Sequence, residues 1–190
     1  MIDITQFIPK AVDATYAGGG DRAHIFAAFR TNQILSKQAL LNDIAKRAPK
    51  DASILVIGGW FGFTSFCLSQ LGYQNITEID VDPVCSRVST ILNFNTPGFR
   101  HQVADVSNFD VSGFAIVINT SAEHMSSDWF ERLAPGTMVF CQTTNLNVPD
   151  HSNLCASLEE AKSKYSLGTL FQASEIPDRT YSRYFISGIK

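Results

Sequence analysis

No apolar run in this chain approaches the ~20 residues a bilayer-spanning helix requires, so no membrane span and no membrane partner are expected. Cysteine is sparse: Cys67, Cys85, Cys141 and Cys155 stand far apart with no C-x-x-C pair. That spacing suggests neither a cysteine-based zinc site nor a disulfide framework, and leaves buried, reduced thiols as the expectation. Charge is also low. Charged residues make up 17% of the chain, the formal net charge is -3, and no Lys/Arg stripe is visible, which argues against tight nucleic-acid binding. Met1 to Pro9 carries an acid and no basic cluster, unlike a signal peptide, so a cytoplasmic location is expected. There is no internal repeat or low-complexity segment. What remains is 190 residues, 45% of them apolar, enough for one globular domain with a sizeable core.

The most informative stretch is Ile54 to Ser65, ILVIGGWFGFTS. An uninterrupted apolar run marks a parallel strand covered by helices on both faces. Glycines immediately after such a strand let backbone approach a ligand at the mouth of a strand–turn–helix unit. About twenty residues on, ITEIDVD (Ile76 to Asp82) reads as a second strand closing on carboxylates, which suit the hydroxyls of a ribose. The order Gly58, Gly59, Trp60, Phe61, Gly62 is not the dinucleotide pattern, because Trp60 and Phe61 stand where a pyrophosphate needs open backbone. The stretch instead resembles the first motif of class I S-adenosylmethionine (SAM)-dependent methyltransferases. It is closest there to the G-x-aromatic-x-G-aromatic-[ST] variant of small-molecule O-methyltransferases, matched by Gly58, Trp60, Gly62, Phe63, Thr64 and Ser65. Val56 departs from that pattern, which usually has Glu or Asp there. The chain, with NTSAEHM from Asn119 to Met125, also looks like uncharacterised methyltransferase-like proteins of large tailed phages.

Strand and helix signals alternate from Ser53 onward. Strands are expected at 53–57, 76–81, 101–104, 115–119 and 137–143, and helices at 64–71, 83–93 and 127–133. Asp82-Pro83 is a cap followed by proline in a first helical turn. Ser157 with Glu160 forms a capping box, after which strands at 169–176 and 180–189 flank Pro177-Asp178-Arg179 as a hairpin. The expected fold is α/β: a doubly wound, mostly parallel seven-stranded sheet with a C-terminal antiparallel hairpin and helices on both faces. Residues 1–50 read as an N-terminal helical cap segment and 51–190 as the SAM-binding Rossmann-like domain, together one compact unit. Within the cap, a helix or two cover 21–48, with Asp21 as cap and Ile25, Phe26, Phe29, Leu40, Leu41 and Ile44 as an apolar stripe. Asn32, Gln33 and Ser36 interrupt that stripe and are expected to face solvent, the alternative being the wall of a pocket. Gly18, Gly19 and Gly20 make a hinge, a lid or a loose terminus.

The resemblance implies SAM as cofactor, bound by Gly58, Gly59, Trp60, Gly62, Thr64, Asp80, Val81, Asp105, Val106 and Asn119. Asp80 would take the ribose. Asp105 would accept the adenine amine beside the Val106 N–H, unless it only caps local amides. Asn119 resembles the Asp or Asn of the fourth motif. His124 and Glu123 are the best base candidates, since imidazole takes a proton near neutral pH and a carboxylate can orient it. Helix capping is their alternative role, and His151 is the next candidate. Catechol-type relatives hold magnesium on carboxylates after strands four and five. Here those positions offer Asn119, Gln142 and Asn145, so no metal is expected. The N-P-P-Y pattern of amino-methylating nucleic-acid enzymes is absent as well. The expected function is metal-independent methyl transfer to a small-molecule acceptor. Aminocarboxypropyl transfer from SAM and a SAM-binding module without catalysis are the rivals. The terminal hairpin could pair with a second copy.

Overall fold

Four-residue apolar runs become buried parallel strands here because both their faces are covered. The computed structural model describes residues 3–21, 23 and 27–190. Strands β1 (Ile54–Ile57), β2 (Ile76–Asp80), β3 (Arg100–Val103), β4 (Ile116–Asn119) and β5 (Met138–Thr144) are parallel, and β6 (Thr169–Pro177) and β7 (Ser182–Ile189) join antiparallel. The sheet order is β3-β2-β1-β4-β5-β7-β6. Ile57 pairs with Ile79 on one side and Asn119 on the other, so β1, β2 and β4 end at one level. The order reverses at β1, and a crevice opens there beyond the carboxyl ends.

Alternation along β1 divides the core. Ile54 and Val56 pack with Ile118 and Phe140 on one face, whereas Leu55 and Ile57 pack with Val117, Trp129 and Phe130 on the other. Helices α1 (Ile8–Ala17), α2 (Thr31–Arg47) and α3 (Phe63–Gln70) supply buried residues to the first cluster, as does α4 (Pro83–Leu92) through Leu92. The short α5 (Asp128–Glu131) and α6 (Leu158–Lys164) serve the second. Ile4, Ala11, Ala14, Leu40, Leu41 and Ile44 sit in the same cluster as the strands, so the N-terminal segment is part of the sheet's own core. No helix among the described residues is long and apolar enough to cross a membrane. All four cysteines are free and buried.

Four expectations are sharpened or corrected. First, of the one or two helices expected over 21–48, two are present: residues 23, 27 and 28 are helical, and after an extended Arg30 a separate helix begins at Thr31 without a side-chain cap. Asp21 stands upstream of it, and Ile25 and Phe26 lie outside the described residues. Second, Asn32 and Ser36 are buried rather than solvated. The Asn32 amide meets the Tyr181 hydroxyl, and the Ser36 carbonyl accepts from Gln142 Nε2 at 2.7 Å. These polar breaks in the stripe are the seam between α2 and the β5–β7 pair of the sheet. Third, Gly18–Gly20 is a helix stop. The Gly18 N–H donates to the Ala14 carbonyl and the Gly20 N–H to that of Thr15, at 2.9 and 2.8 Å. A side chain at Gly18 would run into Val88 of α4, so the segment is packed, and α1 before it was not foreseen. The helix expected at 127–133 is also confined to Asp128–Glu131.

Candidate functional site

The crevice is a cavity of about 950 Å³. Its floor is the turn after β1. Trp60 adopts φ 51°, in the left-handed region where a side chain costs roughly 1–2 kcal/mol. Two contacts hold it there: its N–H donates to Asp80 Oδ2 at 2.9 Å, and its ring stacks on Phe61 with centroids 5.2 Å apart. The other Asp80 oxygen accepts the Asp82 N–H at 2.9 Å. Each carboxylate oxygen thus spends one lone pair on backbone and keeps another for a ligand. Burial pushes the Asp80 carboxyl above its ordinary value, while the two N–H bonds pull it back. Asp82 instead caps α4, accepting from the Val84 N–H at 2.8 Å.

The two later glycines answer to packing. A Cβ on Gly59 would lie 2.2 Å from the Glu78 side chain, and one on Gly62 would lie 2.2 Å from Ser89 Oγ. Glu78 is fully buried, accepting from Ser65, from Ser89 at 2.5 Å and lying 3.1 Å from His101 Nδ1. It pairs in register with Val56. A carboxylate missing from β1 is therefore present on the neighbouring strand, tying the first turn of α3, through Ser65, to the second half of α4, through Ser89, beneath the turn.

Most sequence-predicted residues meet in this one cavity. Gly58, Gly59, Trp60, Thr64, Asp80, Val81, Asp105, Val106, Glu123, His124 and His151 all line it. Gly62 and Asn119 do not. Gly62 opens α3 against Ser89, and Asn119 is fully buried, its Oδ1 accepting the Ser121 N–H at 2.9 Å and so shaping the β4 turn. Asp105 is exposed at the β3 end and accepts the Ser107 N–H at 2.8 Å, which holds its carboxyl below the ordinary value.

Strand order divides the cavity. Asp80, Val81, Asp105 and Val106 stand past β2 and β3; Glu123, His124 and His151 stand past β4 and β5. His124 is oriented by Asp150 rather than Glu123, its Nδ1 lying 3.5 Å from the Asp150 Oδ2 besides facing that residue's backbone. His124 Nδ1 lies 3.1 Å from the Asp150 carbonyl, and His151 Nδ1 lies 2.6 Å from that of Leu146. The two rings meet edge to face at 4.5 Å. Glu123 is 1% exposed; Oε1 lies 3.6 Å from Arg183 Nη2, and Oε2 has no hydrogen-bond partner among the described residues.

Lys37 and Arg183, which the sequence reading passed over, also line this end and are 8% and 6% exposed. Burial brings Lys37 down to about 7; the Arg183 charge adds to that, and Cys67 and Glu123 oppose it. The available signal was a basic residue at a stripe position of α2 and another near the start of the terminal strand.

No family model and no curated protein matches the chain. Solved structures do. The N-methyltransferase NodS from Bradyrhizobium japonicum WM9, in complex with S-adenosyl-l-homocysteine, superposes with TM-score 0.68 at 12% identity, covering 94% of this chain and 98% of its own. Magnesium protoporphyrin IX methyltransferase (ChlM) from Synechocystis PCC 6803, with bound SAH, gives 0.67 at 10% identity over 97% and 96%. The [4+2]-cyclase SpnF gives 0.65 at 10% identity over 81% of each chain. At these identities the likeness is one of fold.

Proposed function

We propose that the protein binds SAM in the crevice and transfers its methyl group to a small-molecule acceptor. The observation carrying this reading is the Asp80 carboxylate. It is fixed by the Trp60 and Asp82 N–H groups at the end of β2, with an acceptor site left on each oxygen for a ribose hydroxyl. Asp105 and Val106 then flank the adenine, and Gly58 to Trp60 run beside the ribose and methionine portion. Support comes from structures of the same fold that hold S-adenosyl-l-homocysteine or SAH. Trp60 leaves no open backbone for a pyrophosphate, which disfavours NAD.

The methyl-bearing sulfonium would then face the end formed by Glu123, His124 and His151. An acceptor heteroatom attacks the methyl carbon in line; the C–S bond breaks, S-adenosylhomocysteine leaves, and the acceptor's proton passes to an imidazole Nε2 and on to solvent. The protein's contribution is orientation and exclusion of water, with one base. Magnesium has no part, because β4 and β5 end at Asn119 and Thr144 without a carboxylate. Residues 51–190 carry the cofactor, and α2 closes the acceptor side through Gln33 and Lys37.

The fold itself does not select the reaction, since a cyclase and a SAM complex of MtNAS share it. Aminocarboxypropyl transfer is therefore the second reading, and product mass separates the two. A SAM-binding module without turnover is the third. The deciding experiment is calorimetric titration with SAM, S-adenosylhomocysteine and NAD. Saturable binding of the first two, weakened at least about tenfold in Asp80→Ala, is expected. Absence of binding would overturn the reading.

A further inference from the structure

We propose that Glu123, His124 and His151 form a site for a divalent transition-metal ion of the zinc class, open towards the acceptor end of the cavity.

One ligand atom from each of the three lies within 4.8 Å of the others, so small side-chain rotations bring them to the bond lengths of about 2.0–2.2 Å that zinc takes from His and Glu. The tautomers are already chosen. With each Nδ1 directed at a backbone carbonyl, that of Asp150 or Leu146, each ring leaves the Nε2 lone pair as its free ligand position. Histidines that hold metals are oriented in this way, by a partner on the other nitrogen. The carboxylate points to a ligand independently of the histidines. Glu123 is more than nine-tenths buried, Arg183 stands by Oε1, and Oε2 is buried without a hydrogen-bond partner among the described residues. A buried carboxylate oxygen left unsatisfied is costly unless something binds it.

The juxtaposition is built by backbone. His151 is brought beside His124 because the Ser152 and Asn153 N–H groups both donate to the Glu123 carbonyl at 3.0 Å. Asn153 Nδ2 adds bonds to the Ala122 and Met125 carbonyls at 3.2 and 2.8 Å. The loop after β5 is thereby latched onto the turn after β4 at the point where the donors meet. Two imidazoles and one carboxylate suit zinc or its neighbours rather than magnesium, which prefers oxygen alone. Three protein ligands leave a coordination position open, as in catalytic rather than structural sites. With SAM bound as proposed above, the acceptor heteroatom would occupy that position, and its lone pair would be freed at lower pH. The ion would relieve the imidazoles of the base's task, the proton leaving to solvent. That role rests on the proposed function; the binding does not.

The test is calorimetric titration of chelator-stripped protein with zinc chloride alone, without SAM. One ion per chain is expected. His124→Ala and His151→Ala should each weaken binding at least about tenfold, and Glu123→Gln should do so with the fold preserved. Cobalt added in place of zinc should give visible d–d absorption that the histidine variants lose. Melting curves of the metal-free variants separate a lost ligand from a lost fold, and His124→Asn replaces any variant that melts early. No saturable zinc binding, or zinc binding unchanged in the His124→Ala/His151→Ala double variant, would overturn the site. Asp80→Ala keeps zinc binding if the site stands, even where SAM fails to bind any form of the protein, so the two readings fail separately.

Discussion

Lys37 sets a cost that the rest of the fold must offset. Its ammonium is buried at the cavity wall, donates to Gln33 Oε1 at 3.1 Å, and titrates near about 7 instead of 10.5. Between those values the unfolded chain binds the extra proton, so stability rises with pH across that window. The cost is present in full below about pH 7 and gone above about 10.5. Lys37→Met should therefore stabilise the protein at pH 6.5 by on the order of 3–5 kcal/mol, with the gain gone near pH 10.5. Thermal melts at the two pH values check this; an equal gain at both would refute it. A buried cation beside Arg183 is also a natural partner for an anionic group on a bound ligand. At Asp80 the same bookkeeping runs on binding. Burial raises its carboxyl; on the proposed function protonation would take an acceptor from the ribose, so SAM affinity should fall as the solution is acidified towards that raised value.

At the scale of elements, the turn between β1 and α3 depends on what lies beneath it. Glu78 of β2, held by Ser65, Ser89 and His101, occupies the space a side chain at Gly59 would need. Gly59→Ala should cost about 1–3 kcal/mol through overpacking. Gly113→Ala, where an added Cβ meets nothing within 4 Å and φ is not positive, should be neutral or slightly stabilising. Urea unfolding of the pair provides the comparison. The glycine motif thus has two physical origins. One is the cavity it lines at Gly58 and Gly59, and the other is the close approach of α4 and β2 beneath Gly59 and Gly62. Spacing along the chain does not distinguish them.

For the whole molecule, the N-terminal segment contributes side chains to the same core as the sheet. Ile4, Ala11 and Ala14 are buried in the cluster that contains Val56, Ile118 and Phe140. Removing residues 1–17 takes these side chains out of that cluster and uncovers the face of α4 on which α1 packs. It should lower the melting temperature by roughly 10 °C, as expected for a loss of about 3 kcal/mol or more of apolar burial in a chain of this size. An unchanged melting curve would mark the segment as dispensable. At the other end of the sheet, β6 is the outer edge and exposes Leu170.

The order of elements from Ser53 to Lys190, the parallel sheet and the closing hairpin were legible in the chain. Each rests on local chemistry: apolar runs, a capping carboxylate before proline, and a link too short for anything but a hairpin. Strand ends fell within about a residue of those read from sequence because pairing in register sharpens what periodicity only suggests. Asp80, Asp105 and the turn around Trp60 could be placed for the same reason, since each follows directly from a strand end. Other features were settled only in three dimensions. Lys37, Tyr181 and Arg183 come from α2, the link before β7 and β7 itself, and their meeting depends on how α2 crosses the β5–β7 pair. His151 reaches His124 through bonds between two loop backbones, which leave no mark in side-chain pattern. Glu78 takes its place under Gly59 through the register of β1 with β2. Local sequence determines elements because their hydrogen bonds and apolar periods are short in range. The site is a product of packing, in which residues far apart in the chain share one buried volume.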